Sequence, residues 1–509
     1  MLHTRRSVLS ALGATAAGAA VRLPLSQAQS PGPSASSSNT SPHDPLRPAF
    51  HYLPARNWMN DPCAPVFFRG QYHMFHQYNP HAAVWGDMHW AHAVSPDMVH
   101  WKRLPVALAP TPNSPGGVPS PDSAGCFTGS AVFQHGAPAI IYTGVEAVPH
   151  EQATLSDGSH NFRETQLLAT SSEPSLGAWR KHPQPVIPSP PSGMKVTGFR
   201  DPTPFEHAGI LYLVVGSGIA GKGGMVLLYR AAKLPGGAHD LTHWEYLHPL
   251  AEGQLSSKSG SDKDPVDKGE MWECPDFFAL GHRHVLIYST ERKTFWQVGD
   301  LDPATLRFHP TASGLLDDGC SFYAPKTQLD AHGNRILWGW LSEKRTDAEM
   351  TAAGWSGMLS LPRVLTIEDG ELRMRPLPAL HQLRTSAPGK QINEFNATLQ
   401  QTHDGNVAPP FVLSDSHGPL FGIQNGASTG FHTEGVPVGL IRPPIELGEH
   451  ASIHIFFDSS VIEIFLDGRF CHTHRFYARD PRTPILTLWL PSSRVLDPRS
   501  YTLKPIWPA

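Results

Sequence analysis

One layout recurs five times along the chain, and it limits the possible folds more than any other feature. In each copy an anchor residue is followed by an apolar run, a turn and a second apolar run. Later in most copies a polar turn leads to an aromatic strand end, as at Trp101. Four strands in each of five units predict a β-propeller, in which radial repetition leaves only short, protected sheet edges. The anchors, separated by 68, 72, 72 and 51 residues, are Asp61, Gly129, Asp201, Glu273 and Ala324.

An array of β-sandwiches is the alternative arrangement for these repeats. We favour the propeller because equal units around one axis place every anchor at the same end of a central funnel. The chain also contains 50 prolines and 45 glycines, and strands dominate its readable periodicity. Both features indicate a turn-rich, all-β protein.

The repeat ends near Arg363, and a different strand pattern begins near Ile392. In this second pattern Val461–Leu466 has the alternation of a strand that is covered on both faces, and Asp467-Gly468 marks a hairpin turn. We interpret the pattern as a β-sandwich packed on the propeller. The predicted domains are a five-bladed β-propeller at 46–365, a connection at 366–391 and a C-terminal β-sandwich at 392–509.

The first 28 residues have the layout of an export signal. A basic start is followed by an apolar run from Val8 to Val21, and Ser26-Gln27-Ala28 is a suitable cleavage site. Thr4–Leu9 contains an arginine pair and resembles a twin-arginine signal, with an ordinary secretory signal as the alternative. Residues 29–45 are rich in serine and proline, which predicts a disordered linker. We therefore expect a protein exported to the periplasm or the medium.

Composition excludes several classes of partner. The net charge is −4, charged residues make up 17% of the chain and no basic block occurs, so nucleic acid is not an expected partner. Beyond the signal no stretch approaches a membrane span. The five cysteines are scattered and odd in number, which predicts no disulfide framework, and we interpret Cys274 as a small buried packing residue. The oligomeric state stays open.

Histidines crowd the first repeat, where a metal site is conceivable. His73 and His76, like His89 and His92, are three residues apart, and this spacing points strand neighbours to opposite faces. The pattern therefore predicts no zinc site. Calcium stays open because its oxygen ligands leave little trace in a sequence. We expect no cofactor.

Three of the five anchors are acids, Asp61, Asp201 and Glu273. If every anchor lies at one end of the propeller, these carboxylates share one pocket. Packed carboxylates repel one another, so at least one retains its proton near neutral pH, as a general acid requires. A pair of carboxylates around a glycosidic bond is the usual machinery of glycoside cleavage. The rings that are expected to wall a sugar site nearby are those of Trp58, Trp85, Trp90, Phe127, Trp272 and Trp340.

Six short motifs follow one another along the chain. They are Trp58-Met59-Asn60-Asp61-Pro62, His76-Gln77-Tyr78-Asn79-Pro80, Trp90-Ala91-His92-Ala93-Val94-Ser95-Pro96-Asp97, Phe199-Arg200-Asp201-Pro202, Trp272-Glu273-Cys274-Pro275-Asp276 and Gly357-Met358-Leu359-Ser360-Leu361-Pro362-Arg363. Their series resembles that of glycoside hydrolase family 32, the invertases, inulinases, levanases and related fructosyltransferases. The resemblance runs from about His51 to the C-terminus, where 458–465 is similar to the family's sandwich signature. It implies a five-bladed propeller followed by a β-sandwich.

The resemblance also implies roles for the three acids. Asp61 matches the nucleophile, Glu273 the acid/base and Asp201 the stabiliser of the transition state. Asp61 is then expected to attack the anomeric C2 of a β-fructofuranosyl unit, while Glu273 protonates the departing oxygen and later activates water, with net retention. Arg200 is expected to favour ionisation of a neighbouring carboxylate. Family positions that line the fructosyl site match Asn60, Gln77, Trp85, Phe127 and Thr128, and Trp340 is added to this set.

Several positions depart from the family's common pattern. Cys63-Ala64-Pro65 follows the first acid where Asn-Gly is commoner, Thr128 replaces a serine and Ala91 replaces a glycine. The three acids are unchanged, so the expected function is a retaining glycosidase that releases fructose from sucrose or from inulin- and levan-type fructans. Three alternatives stay open: a fructosyltransferase on the same scaffold, a propeller glycosidase for arabinan or xylan, and a non-catalytic protein that binds fructan.

Overall fold

The protein is represented by a computed structural model. It describes residues 44–113, 117–134, 136–255, 264–319, 321–386, 392–400, 450–477 and 495–507, together with the strands at 411–415, 418–424, 427–430 and 487–489. The predicted signal at 1–28 and residues 29–43 of the predicted linker at 29–45 lie outside these residues. The last two linker residues are described, and Asp44 Oδ2 accepts from Arg345 Nη1 at 3.1 Å and from Trp355 Nε1 at 2.8 Å. Within the described part of the chain, no helix has the length and apolar character needed to cross a membrane.

Five antiparallel sheets follow one another along the first part of the chain. The first consists of β1 (Asn57–Phe68), β2 (Gln71–Asn79), β3 (His89–Ser95) and β4 (Lys102–Leu108). The second consists of β5 (Gly125–Gln134), β6 (Ala137–Ala147), β7 (Leu155–Ser156), β8 (Asn161–Thr170) and β9 (Arg180–Lys181). In this sheet β7 and β9 share the place of a fourth strand, because both pair with β8. A short 3₁₀ helix, His150–Gln152, precedes β7.

The next two sheets have the simple order of a four-stranded meander. The third contains β10 (Phe199–His207), β11 (Ile210–Ile219), β12 (Gly223–Lys233) and β13 (His239–Glu252). The fourth contains β14 (Glu273–Leu280), β15 (Arg283–Thr290), β16 (Lys293–Leu301) and β17 (Phe308–Asp317). Their first strands are buried along most of their length, whereas the fourth strands β13 and β17 are largely half-buried or exposed. This gradient places the first strand of each sheet at the centre of the molecule.

The fifth sheet is interrupted by a helix. Its strands are β18 (Phe322–Leu329), β19 (Arg335–Leu341), β21 (Met358–Leu359), β22 (Arg363–Glu368) and β23 (Glu371–Pro376), with α1 (Asp347–Ala353) and β20 (Trp355–Ser356) between β19 and β21. Helix α1 begins with a capping box formed by Thr346 and Glu349 and ends at Gly354, whose φ of 73° is left-handed. The hairpin of β22 and β23 forms the outer half of this sheet, so the propeller extends to Pro376. The predicted connection at 366–391 is therefore shorter, and it contains the 3₁₀ helix Pro378–Leu383.

The five sheets form a closed ring. The first strands contact one another in the order β1, β5, β10, β14, β18, and β18 contacts β1 again. The strand β20, which follows the fifth sheet's inner strands, pairs in parallel with β1 and so joins the last blade to the first. Two backbone hydrogen bonds support the junction, from Asn57 N–H to Gly354 O at 2.8 Å and from Leu359 N–H to Tyr52 O at 2.9 Å. The predicted five-bladed propeller is confirmed.

Two further sheets form the C-terminal part, as the all-β prediction requires. The strands are β24 (Glu394–Gln400), β25 (Phe411–Asp415), β26 (Gly418–Gln424), β27 (Ala427–Gly430), β28 (His450–Asp458), β29 (Val461–Leu466), β30 (Phe470–Arg475), β31 (Thr487–Trp489) and β32 (Val495–Tyr501). One sheet has the order β30-β29-β28-β24-β32 and the other β27-β26-β25-β31. All six residues of Val461–Leu466 are buried, as the alternation along this strand predicts.

A network of buried charges joins this C-terminal part to the propeller. One nitrogen of Arg363, Nη2, donates to Asp317 at 2.9 Å, to Glu463 at 2.8 Å and to Thr473 at 2.7 Å. Burial alone lowers the pKa of Arg363, but the neighbouring anionic groups raise it above its usual value. His51 lies between Glu463 and Asp458, which raise its pKa to about 9 against the effect of burial. Because the folded-state pKa is raised, the stability that His51 contributes is lost as pH rises from about 6.5 to about 9.

Three buried histidines of the first blade give the protein an acid-sensitive stability. Burial lowers the pKa of His73 and of His76 to about 4 and that of His92 to about 3. The folded protein therefore binds these protons less readily than the unfolded chain, and we expect stability to be lost as pH falls from about 6.5 to about 4. Calorimetry at about pH 7 and about pH 4.5 measures the loss as a fall in Tm.

A variant pair identifies the responsible groups. His92→Gln removes one titrating ring, so the fall in Tm between the two pH values is expected to be smaller than in the wild type. His100→Gln alters a ring whose side chain is about half exposed and leaves the fall unchanged. An equal fall in the wild type and in His92→Gln contradicts this explanation.

Candidate active site

A β-bulge in the first strand of every blade positions the candidate residues. The strand pairing is interrupted between Met59 and Pro62 in β1, and at the corresponding place in the other four first strands. The two unpaired residues are Asn60 and Asp61, Phe127 and Thr128, Asp201 and Pro202, Cys274 and Pro275, and Ala324 and Pro325. A bulge bends its strand and re-aims side chains, and five of them at one level of the ring direct these side chains toward a common site.

The bulges align the repeats differently from the sequence. Asp201 and Cys274 are the first residues of their bulges and correspond to Asn60, whereas Asp61 corresponds to Pro202. Glu273 is the last paired residue before its bulge. The anchors predicted from the sequence therefore share the same end of the ring, as predicted, but they are not equivalent position by position. Asp201, Cys274 and Ala324 also share a left-handed φ, of 63°, 48° and 48°.

A chain of amides and a hydroxyl holds Asp61. Asn60 Nδ2 donates to Asp61 Oδ1 and to Gln77 Oε1, each at 3.0 Å. Gln77 Nε2 donates to Thr128 Oγ1 at 2.6 Å, and the Thr128 hydroxyl donates to Asp61 Oδ2. Trp58 Nε1 donates to Asn60 Oδ1 at 2.8 Å, and this hydrogen bond fixes the other end of the Asn60 amide. The four polar residues are fully buried, so each of these hydrogen bonds forms away from water and restricts the direction of the Asp61 carboxylate.

Arg200 and Tyr323 hold Glu273. Arg200 donates to Glu273 Oε1 from Nε at 3.1 Å and from Nη2 at 2.8 Å, and the Tyr323 hydroxyl donates to Oε2 at 2.8 Å. On its other side Arg200 Nη1 donates to Glu164 Oε1 at 2.9 Å, and Glu164 Oε2 accepts from the Phe199 N–H at 2.6 Å. Glu164 thus fixes the guanidinium that in turn orients Glu273.

Cys274 lies between the other two acids. Its backbone N–H donates to Asp201 Oδ2 at 2.9 Å, and its Sγ is 3.4 Å from the same oxygen and 3.5 Å from Asp61 Oδ2. The backbone N–H of Asp201 donates to Thr143 Oγ1 at 2.9 Å. One sulfur atom therefore contacts both carboxylates, which places Asp61 and Asp201 side by side. The prediction that Cys274 is only a packing residue missed this contact.

Buried carboxylates outnumber the cationic side chains that contact them at the site. Asp61, Glu164, Asp201 and Glu273 are all buried, and Arg200 contacts three of them, with Nε 3.9 Å from Asp201. Burial alone lowers the pKa of Arg200, but Glu164, Glu273 and Asp201 raise it well above its usual value. Burial, followed by the nearby Glu273, raises the pKa of Tyr323 well above its usual value. Three buried carboxylates share one guanidinium and a fourth, Asp61, lies beside Asp201, so the crowding favours the retention of at least one proton in the group, as a general acid needs.

Aromatic rings cover one side of the acids. Trp58, Trp85, Phe127 and Trp340 belong to one buried cluster, with Trp58 and Trp340 edge to face at 5.8 Å and Trp85 and Phe127 at 6.1 Å. Two predicted wall residues lie elsewhere, in apolar clusters between neighbouring blades. Trp272 stacks on Tyr288 at 3.8 Å, and Trp90 packs beside Phe75 and Tyr142. Both indoles occur in the motifs of the site, but they pack into the interfaces between neighbouring blades.

A cavity of about 500 Å³ lies on the far side of the bulges and is distinct from this site. It is lined by residues that follow the bulge in each first strand, including Val66, Ser130, Thr203, Asp276 and Lys326. None of the ten predicted site residues lines it. The structure brings those ten residues together on the side of the bulges opposite the cavity. Two further residues, Glu164 and Tyr323, belong to the site although the sequence did not identify them.

Removal of the Glu164 charge is expected to shift the pH profile of the site. In Glu164→Gln, Arg200 pairs more fully with Glu273 and one negative charge is lost, so both effects favour the ionised form of Glu273. The alkaline limb of the rate profile should move to lower pH. A hydrogen bond between charged groups contributes about 1.5–3 kcal/mol, so kcat/KM should fall by about tenfold or more. Initial rates from about pH 4 to about pH 8 measure both quantities.

The matched control is Glu146→Gln in the same sheet. Glu146 pairs with Arg163, whose side chain is 41% exposed, and neither residue contacts the acids in this structure. This variant should keep the wild-type profile. An alkaline limb that does not move in Glu164→Gln would show that Glu164 acts on the fold alone.

Comparisons with known proteins agree with this geometry. The model of the glycosyl hydrolases family 32 N-terminal domain matches residues 51–376, and that of the glycosyl hydrolases family 32 C terminal matches residues 384–490. The first match ends at Pro376, where β23 ends. A sucrose-6-phosphate hydrolase of Escherichia coli is 31% identical over 467 residues, covering 84% of this chain and 89% of the relative. A raffinose invertase of Escherichia coli is 32% identical over 462 residues, with coverage of 84% and 89%.

Solved structures show the same architecture. Fructan 1-exohydrolase IIa from Cichorium intybus superimposes with a TM-score of 0.73 at 25% identity, covering 91% of this chain and 98% of that chain. A β-fructofuranosidase of Bombyx mori superimposes with a TM-score of 0.72 at 27% identity, covering 91% and 95%. The match extends over the propeller and the C-terminal sheets.

Proposed function

Because this chain belongs to glycoside hydrolase family 32, we propose that it releases fructose from β-D-fructofuranosides by a double displacement at Asp61, Asp201 and Glu273. The observation that carries the proposal is the convergence of these carboxylates at the end of the ring where the first strands bulge, with one sulfur atom in contact with Asp61 and Asp201. The relatives support a β-fructofuranosidase-type glycosidase, because they include a raffinose invertase and a fructan exohydrolase.

In the first step Asp61 attacks C2 of the fructosyl unit. Its carboxylate is held by Asn60 and Thr128, so it needs little reorientation to reach a bound sugar. Glu273 gives its proton to the departing glycosidic oxygen, and the bond from C2 to that oxygen breaks. A covalent fructosyl ester on Asp61 is formed with inversion at C2.

In the second step water replaces Asp61 at C2. Glu273, now ionised, takes a proton from the water, and this carboxylate form is the one that Arg200 and Tyr323 favour by donating to it. The second inversion gives net retention. Asp201 accepts hydrogen bonds from the fructosyl hydroxyls, and these strengthen as positive charge develops on the ring. Trp58, Trp85, Phe127 and Trp340 provide the apolar wall.

Product analysis tests the function and identifies the substrate. The protein is incubated separately with sucrose, sucrose 6-phosphate, inulin and levan, and products are separated by chromatography. Fructose from sucrose supports an invertase, and fructose from the polymers supports an exo-acting fructanase. Short oligomers indicate endo cleavage, and new fructosylated sugars at high sucrose indicate transfer. Absence of any product from all four, or release of pentose from arabinan or xylan, contradicts the proposal.

We also propose that the N-terminal segment exports the protein through a twin-arginine route. The support is Arg5-Arg6 before an apolar run and a small-residue cleavage site at Ser26-Gln27-Ala28. The test compares the wild type with a variant in which both arginines are replaced by lysine, in a bacterial host. The wild type should lose its first 28 residues and leave the cytoplasm, whereas the variant should stay inside in the uncleaved form. Equal export of both contradicts the twin-arginine route.

A further inference from the structure

Two histidines and an aspartate meet beside the loop that carries Trp85. His81 Nε2 is 2.9 Å from Asp87 Oδ2, whereas His89 Nδ1 is 3.9 Å from Asp87 Oδ1 and donates to the backbone oxygen of Asp87 at 2.7 Å. One ligand atom of each residue lies within 4.8 Å of those of the other two. The centroids of the two imidazole rings are 5.9 Å apart, and each ring has a nitrogen within 3.9 Å of an oxygen of the Asp87 carboxylate. From these contacts we propose that His81, Asp87 and His89 bind a zinc ion that clamps the Trp85 loop.

The donor set fits a transition metal better than calcium or magnesium. Imidazole nitrogens suit zinc, copper and nickel, whereas calcium and magnesium prefer oxygen ligands. Zinc bonds of about 2.0–2.2 Å place neighbouring ligand atoms about 3.3 Å apart around a tetrahedral ion. The gap of 2.9 Å between His81 and Asp87 is close to that separation, and an ion bound at His89 Nδ1 replaces the hydrogen bond from this nitrogen to the backbone oxygen of Asp87. Three protein ligands leave the fourth position to water.

Three backbone carbonyls hold part of the loop in place, and the proposed ion adds a further restraint. The carbonyl oxygen of Pro80 accepts from Asn57 Nδ2 at 2.6 Å, that of Ala82 accepts from the Trp58 N–H at 3.0 Å and that of Val84 accepts from Asn79 Nδ2 at 2.9 Å. His81 and Asp87 expose 68% and 48% of their side chains, so the ligands are accessible to an ion from solvent. A site whose backbone is held in place loses less entropy on binding.

The site is coupled to the sugar pocket through Trp85. This indole is in the same loop as His81 and Asp87, and it packs against Phe127 in the cluster that covers the acids. The proposed ligands lie on both sides of Trp85 in the sequence, so an ion bound to them restrains the loop. The histidine spacing within strands gave no reason to expect this site, because its ligands come from the loop between β2 and β3 and from the start of β3.

Metal binding and loop restraint are measured separately. The metal-free protein is titrated with zinc chloride by calorimetry, and bound zinc is counted after dialysis. We expect one zinc per chain, with binding weakened at least tenfold in His81→Ala and in His89→Ala. His100→Ala, which alters another exposed pair of histidine and aspartate, should bind like the wild type. Because His81 is exposed, His81→Ala should keep the wild-type Tm and metal-free activity.

Amide hydrogen exchange measures whether zinc restrains the loop. Zinc should slow amide exchange in the peptide that contains 80–89 at least threefold in the wild type and not at all in His81→Ala. Zinc binding that is equal in the wild type and both variants overturns the site. Specific binding without slower exchange overturns the clamp. These readouts do not use the fructosidase activity, so the zinc site and the proposed function fail independently.

Discussion

Glu273→Gln and Asp61→Asn are expected to lower kcat on sucrose by different routes. Glutamine keeps the size of Glu273 and its contacts with Arg200, but it cannot donate a proton to the leaving oxygen. General acid and base catalysis contributes about 10²–10⁴-fold, so a loss near the upper end is expected for a leaving group as basic as a sugar hydroxyl. Asparagine at position 61 cannot form the covalent ester, and the loss should span several orders of magnitude.

A substrate with an acidic leaving group separates the two roles. An aryl β-fructofuranoside needs no proton at its departing oxygen, so Glu273→Gln should form the fructosyl ester at nearly the wild-type rate. Asp61→Asn should stay inactive. Glu245→Gln, which alters an exposed carboxylate of the outer strand β13, is the control and should match the wild type on both substrates. Glu245→Gln should keep the wild-type Tm, and because Glu273→Gln removes the charge of a buried partner of Arg200, its Tm is measured to establish that it is folded at the assay temperature. A wild-type rate of Glu273→Gln on sucrose contradicts its assignment as the acid.

Arg363→Met is expected to produce the largest loss of stability. The arginine is fully buried and donates to Asp317 and Glu463, which belong to the propeller and to the C-terminal sheet. Its removal takes away the cation that Asp317 and Glu463 share, and Glu463 keeps His51 as its cationic partner. Breaking a buried ion pair in this way costs about 3–5 kcal/mol of unfolding free energy. Denaturant unfolding followed by fluorescence and by circular dichroism measures the change.

The control for this variant is Arg230→Met. Arg230 pairs with Glu245 on the surface, where both side chains are largely exposed, and such pairs contribute about 0–1 kcal/mol. The double variant in which Arg363 becomes methionine and Glu463 becomes glutamine should recover part of the loss, because one buried charge is removed. Equal stabilities of Arg363→Met and Arg230→Met would show that the network does not join the two parts.

The sequence predicted the propeller because the same strand layout recurs, but it could not align the repeats. Proline follows Asp61, Asp201 and Cys274, and the visible acid-proline pairs suggested that the acids occupy equivalent positions. The actual register depends on where each bulge interrupts strand pairing, and Asp61 is the second bulge residue whereas Asp201 is the first. A bulge is set by contacts between strands, which a single sequence does not display.

The acids and their immediate partners could be predicted because motifs carry them. Glu164 could not, because it is in the middle of a strand with no distinctive neighbours, and only the packing of β8 against β10 brings it to Arg200. Trp90 and Trp272 show the opposite error. Their motifs contain site residues, yet each indole packs between two neighbouring blades. The direction of a side chain depends on strand register, which the composition of a motif does not determine.

The most direct test of the double displacement is the configuration of the transfer product in methanol. Sucrose is incubated with the protein in dilute methanol, and the methyl fructoside that forms first is identified by carbon-13 NMR. Methanol competes with water for the fructosyl ester on Asp61, and the product does not mutarotate. Two inversions at C2 predict the methyl β-fructofuranoside. The methyl α-fructofuranoside would show a single inversion and would contradict the role of Asp61 as the nucleophile.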